Sequence, residues 1–88
     1  MANKWHALIV FAEHRYFGES VPFNNRTKAY SPPYTSYLNA ENAMMDNVEL
    51  VKHIRLEYNA RRKAFLAVGS GYGGILAAWS RMKYPNIF

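Results

Sequence analysis

Two continuous apolar runs stand out along the chain, "ALIVFA" at residues 7–12 and "AFLAV" at residues 64–68. Unbroken β-branched and aromatic runs of this length predict strands covered on both faces. Between them, from Asn39, the apolar residues Ala40, Met44, Val48, Val51, Ile54 and Tyr58 recur at spacings of four and three. That spacing predicts an amphipathic helix of about five turns with Asn39 as its N-cap. A second helix is expected over "GILAAWSRMKY", with Ile75, Ala78, Trp79 and Met82 on one face and Pro85 as its stop. Residues 21–37, with Pro22, Pro32 and Pro33 among turn-forming residues, predict a long irregular surface loop. This loop holds the sequon Asn25-Arg26-Thr27.

The resulting order is strand, loop, helix, strand, glycine turn, helix. It predicts an α/β fold: a βαβα unit with parallel strands and a right-handed crossover. Two parallel strands would leave open edges and bare apolar faces, so residues 1–88 are expected to be a partial domain whose remainder lies elsewhere. No repeat or low-complexity segment interrupts them.

Composition adjusts this picture in three ways. The 50% hydrophobic and 19% charged content belongs to a packing sequence and not to a disordered tail. The absence of cysteine removes disulfides, CxxC redox chemistry and thiolate zinc sites from these residues. No apolar run reaches the ~18 residues of a membrane span, and none has the flanks of a signal peptide. The net charge of +5 sits in the C-terminal third, where Arg61, Arg62 and Lys63 cluster before the second run. Without interleaved exposed aromatics this reads as a solvated loop, so no nucleic-acid partner is expected.

The chemistry of interest lies in "GSGYGG", residues 69–74, between the second run and the last helix. Gly69, Gly71 and Gly74 satisfy G-x-G-x-x-G, the pyrophosphate turn of dinucleotide-binding folds, but no acidic residue follows to take the ribose hydroxyl. The nucleophile elbow G-x-S-x-G fits with Gly69 and Gly73 as outer glycines, which puts Gly71 where the serine belongs. Ser70 stands one place early. A third reading gives the glycines only a tight turn and close packing to serve. No metal site is expected, because His6, His14 and His53 are scattered and form no ligating motif.

Two longer segments decide among these readings. "VFAEHRYFGES", residues 10–20, and "GYGGILAAWSRMKYP", residues 71–85, resemble the prolyl-carboxypeptidase and dipeptidyl-peptidase II type of serine peptidases. "LNAENAMMD", residues 38–46, resembles a helix start of the same family, and the likeness runs from residue 7 to residue 85. The resemblance implies an α/β-hydrolase fold with an inserted helical domain, a lysosomal or secreted location, and cleavage after proline near a peptide end without a cofactor. It also implies that the family's nucleophile falls on Gly71, that the preceding glycine falls on Ser70, and that the Tyr72 backbone N–H helps bind the oxyanion. Glu13, His14, Arg15, Tyr16 and Gly18 are then expected to shape the floor of the site.

Acyl transfer needs a base and a group to orient it, which in these hydrolases follow the serine along the chain. Residues 72–88 contain no Asp, Glu or His. The reverse order Asp46, His53, Ser70 fails on geometry, since residues seven apart on a helix are roughly 10 Å apart along its axis. The chain is therefore expected to be a fragment or degenerate relative of a proline-specific serine exopeptidase, inactive by itself, with peptide substrates belonging to complete relatives. The alternatives are a non-catalytic binding protein that uses residues 21–37 as its contact surface and, third, a nucleotide-binding βαβ module.

Overall fold

The computed structural model describes residues 2–88 and contains helices and turns but, among these residues, no strand. Helix α1 (Ala2–Trp5) is followed by a 3-10 turn (Pro22–Asn24), α2 (Arg26–Ala29), a second 3-10 turn (Tyr34–Tyr37), α3 (Ala40–Glu57) and α4 (Gly71–Lys83). No helix is long and apolar enough to cross a membrane among the described residues.

The expected βαβα unit is therefore overturned, and with it the assignment to an α/β-hydrolase sheet. A strand exists only where its N–H and C=O groups pair with a neighbour. Among the described residues no backbone hydrogen bond joins residues 7–12 to residues 64–68. Both runs lie as unpaired, non-helical chain. Their side chains are correspondingly bare, with Phe11 93% and Val68 89% exposed where a doubly covered strand would hide them. The Cα radius of gyration of 14.6 Å agrees. A compact chain of this length would have about 12 Å.

Helix α3 forms where its spacing places it. The Asn39 side chain accepts a hydrogen bond from the Asn42 N–H at 2.8 Å, satisfying one of the free donors of the first turn. Ala43, Met44, Val48, Val51 and Ile54 are buried on one face and supply most of the core. Tyr58, expected to extend that face, lies past the helix end and is exposed.

Helix α4 turns a different face inward from the one expected. Leu76 and Ser80, four apart, are its buried residues, whereas Ile75, Trp79 and Met82 are exposed. The helix ends at Lys83, with the Tyr84 N–H donating to Ser80 O at 2.8 Å and Pro85 just beyond.

Residues 21–37 are more ordered than an irregular loop. Asn25 caps α2, and Ala29 is fully buried. Lys28 Nζ sits 4.7 Å from the Tyr34 ring centroid and 5.6 Å from that of Phe23, a cation held over two aromatic rings. Phe23 and Tyr34 in turn pack edge to face at 5.0 Å.

Candidate functional site

The glycine corner opens α4 directly. Ser70 is the N-cap residue in extended conformation, and its carbonyl accepts the first helical bond from the Gly74 N–H at 3.1 Å. Its own side chain makes no capping bond. The N–H groups of Gly71, Tyr72 and Gly73 precede that first bond and belong to the unsatisfied donors of the helix start.

Two glycines are required here, for different reasons. Gly71 has φ +54, in the left-handed region that a side chain enters only at a cost. A Cβ built on Gly71 would meet nothing within 4 Å, so the position is open as well as bent. At Gly69 the constraint is contact, since a Cβ would lie 2.4 Å from the Gly73 carbonyl carbon and oxygen and 2.7 Å from the Gly74 nitrogen. The chain entering the corner rests against the backbone of the first helical turn.

The segment around "EHRYFG" reaches this corner through His14. Its Nδ1 lies 2.7 Å from Arg15 O and its Nε2 lies 2.8 Å from the Tyr72 hydroxyl. A carbonyl oxygen can only accept, so Nδ1 carries a proton, and in the neutral ring Nε2 accepts from the Tyr72 O–H. Phe17 packs edge-on against the imidazole at 5.1 Å between centroids. His14 is thus committed at both nitrogens and is held beside residue 72.

Behind His14 the segment ties itself into a knot centred on Tyr16. Tyr16 is fully buried, with a positive φ of +74, and its hydroxyl donates to Tyr34 O. The Tyr30 hydroxyl donates to Tyr16 O, and the Tyr16 N–H donates to Ser20 O at 2.8 Å. Ser20 Oγ donates to Glu13 Oε2 at 2.6 Å, and the Glu13 carboxylate fills the space where Gly18, at φ +53, has no side chain.

Arg15 joins this knot to α3. Its Nε and one terminal nitrogen each donate to a separate oxygen of Asp46 at 2.6 Å, and its other terminal nitrogen donates to Tyr37 O at 3.3 Å. The hydrogen bond with Asp46 raises the pKa of the Arg15 guanidinium, so Arg15 stays charged across any working pH. Asp46→Asn should remove the ionic half of a bidentate pair and lower stability by about 1 kcal/mol, read as a shift in urea midpoint at unchanged m-value. An unchanged midpoint would show that the pair contributes nothing.

The expected site residues thus fall into two groups. Gly71, Ser70 and Tyr72 lie together at the start of α4, with His14 bonded to Tyr72. Glu13, Arg15, Tyr16 and Gly18 form the packed support behind His14. Asp46 and His53 do not meet. Asp46 binds Arg15, and His53 Nε2 lies 3.1 Å from Glu57 Oε2, one turn further along α3. Sequence reasoning missed the bonds from His14 to Tyr72 and from Arg15 to Asp46, because pairs so far apart in the chain leave no periodic trace. No group of three or more potential metal-ligating side chains is found among the described residues.

The corner also stands outside two surface clefts. One of about 550 Å³ is lined by Arg55, Phe65, Leu66, Ala77, Arg81 and Ile87 among others, and one of about 320 Å³ by Arg15, Ser20, Pro22, Tyr37 and Asp46. Neither includes Ser70, Gly71 or Tyr72.

Comparison with known families agrees with the two long segments. The profile of the serine carboxypeptidase S28 family matches residues 1–88, and the chain belongs to that family of serine-type peptidases. It is 44% identical over 88 residues to a lysosomal Pro-X carboxypeptidase of Pongo abelii and 43% identical over 88 residues to that of Homo sapiens. Each alignment covers 99% of this chain and 18% of the relative. A prolyl carboxy peptidase like protein of Caenorhabditis elegans is 37% identical over 91 residues, covering 99% of this chain and 17% of that protein. The chain therefore spans less than a fifth of the length of these relatives.

Proposed function

We propose that these 88 residues carry the nucleophile corner of the serine carboxypeptidase scaffold in a form that does not hydrolyse peptides. The observation that carries this reading is Gly71. It occupies the bent, open position at the start of α4 and brings no hydroxyl to it. Ser70 is one residue early, at the N-cap, and no histidine is hydrogen-bonded to its hydroxyl among the described residues. His14 is engaged with Arg15 O and Tyr72, so among the described residues no base is poised to take a proton from Ser70.

The rest of the corner keeps parts that serve acyl transfer. The Tyr72 N–H is one of the free donors at the helix start, where negative charge developing on a carbonyl oxygen would be stabilised. Peptides of the Pro-X type and a lysosomal setting, taken from the names of the relatives, are proposed for a full-length protein with a serine in the Gly71 slot. Incubation with a serine-directed fluorophosphonate should leave the natural chain unlabelled, and a proline-containing peptide should remain intact by mass spectrometry. Stoichiometric labelling of Ser70 would overturn the proposal.

A second reading, a binding protein that uses residues 21–37, draws on one observation. That segment is ordered and presents Phe23, Tyr30 and Tyr37 with roughly half of each side chain exposed.

A further inference from the structure

We infer that Asn25 is an N-glycosylation site. The sequon Asn25-Arg26-Thr27 has the required hydroxyl two residues after the asparagine and no proline between them. The sequence pattern alone is common, so accessibility and the atoms left free decide the matter. Asn25, Arg26 and Thr27 are all exposed. Asn25 has extended backbone, φ −153 and ψ 114, at the junction of the first 3-10 turn and α2.

The Asn25 side chain is divided between two uses. Oδ1 accepts from the Lys28 N–H at 3.2 Å and caps α2, while Nδ2 donates to nothing among the described residues. A glycan on Nδ2 leaves Oδ1 in place, so modification and helix capping are compatible. The neighbouring groups are engaged elsewhere. Arg26 sends its guanidinium to Gly18 O, and Thr27 accepts the Ser31 hydroxyl through its backbone carbonyl, which leaves the Thr27 hydroxyl unclaimed.

In the transfer step Nδ2 forms a bond to the anomeric carbon of an oligosaccharide carried on a lipid pyrophosphate. The carbon–oxygen bond to the pyrophosphate breaks and the lipid pyrophosphate leaves. Nδ2 gives up one proton to a base of the transferase. The inference rests on the family reading only for compartment, since the relatives' names place them in the lysosome, beyond the glycosylating lumen. It is independent of whether the Gly71 corner is active.

The test is expression of the full chain in eukaryotic cells behind a cleavable secretory leader, followed by peptide-N-glycosidase digestion in heavy-oxygen water and peptide mass spectrometry. Isotope-labelled Asp at position 25 is expected. Thr27→Ser should retain the modification and Thr27→Ala should lose it. Asn25→Asp should also lose it while melting at the same temperature as the unglycosylated chain, because a carboxylate caps α2 as well as the amide does. Recovery of unmodified Asn25 from chain whose leader has been removed would overturn the inference, since leader cleavage proves passage through the lumen.

Discussion

Replacing Tyr16 with alanine should destabilise the chain by about 3–5 kcal/mol, the cost of truncating a fully buried aromatic side chain. Tyr16 is the only large side chain buried completely among the described residues, and its hydroxyl donates to Tyr34 O. Small domains have only about 5–15 kcal/mol in hand, so this one change should remove much of the folded population. Tyr16→Phe separates the two contributions. It keeps the ring, leaves Tyr34 O without its donor, and should cost about 1–2 kcal/mol. Urea denaturation followed by circular dichroism measures both, and a midpoint unmoved by Tyr16→Ala would mean that the knot does not support the fold.

Gly69→Ala should be nearly as severe, at about 3 kcal/mol, because the new methyl would sit 2.4 Å from the Gly73 backbone. Backbone atoms cannot swing aside as a flexible side chain can, so the approach to α4 must open. Gly71→Ala is the matching control. Its Cβ meets nothing within 4 Å, and only the left-handed φ of +54 counts against it, about 1–2 kcal/mol. Thermal melts of the two variants should differ, with Gly69→Ala melting lower. Equal melting temperatures would show that the close approach of residue 69 to residue 73 carries no weight.

Helix α3 and its Asn39 cap were legible in the sequence because both are local. Spacings of three and four residues and a side chain reaching three positions ahead need no knowledge of the rest of the molecule. The existence of α4 and its stop before Pro85 were legible for the same reason, although the helix begins at Gly71, three residues ahead of the expected Gly74. The strands were not. Apolar runs 7–12 and 64–68 have strand composition, but pairing is decided by what lies beside them, and among the described residues no strand does. The inward face of α4 was misread because Leu76 and Ser80 are buried, while Trp79, the more hydrophobic neighbour, is not. The His14 bond to Tyr72 spans 58 positions and the Arg15 pair with Asp46 spans 31, separations that no spacing rule covers.

The unpaired runs carry a practical consequence for anyone handling the protein. Phe11, Leu66 and Val68 stand in water beside backbone amides that are not engaged in a ladder. Such segments are adhesive, and two molecules that meet can zip these segments together edge to edge. Concentration, salt and time on the bench therefore become structural variables.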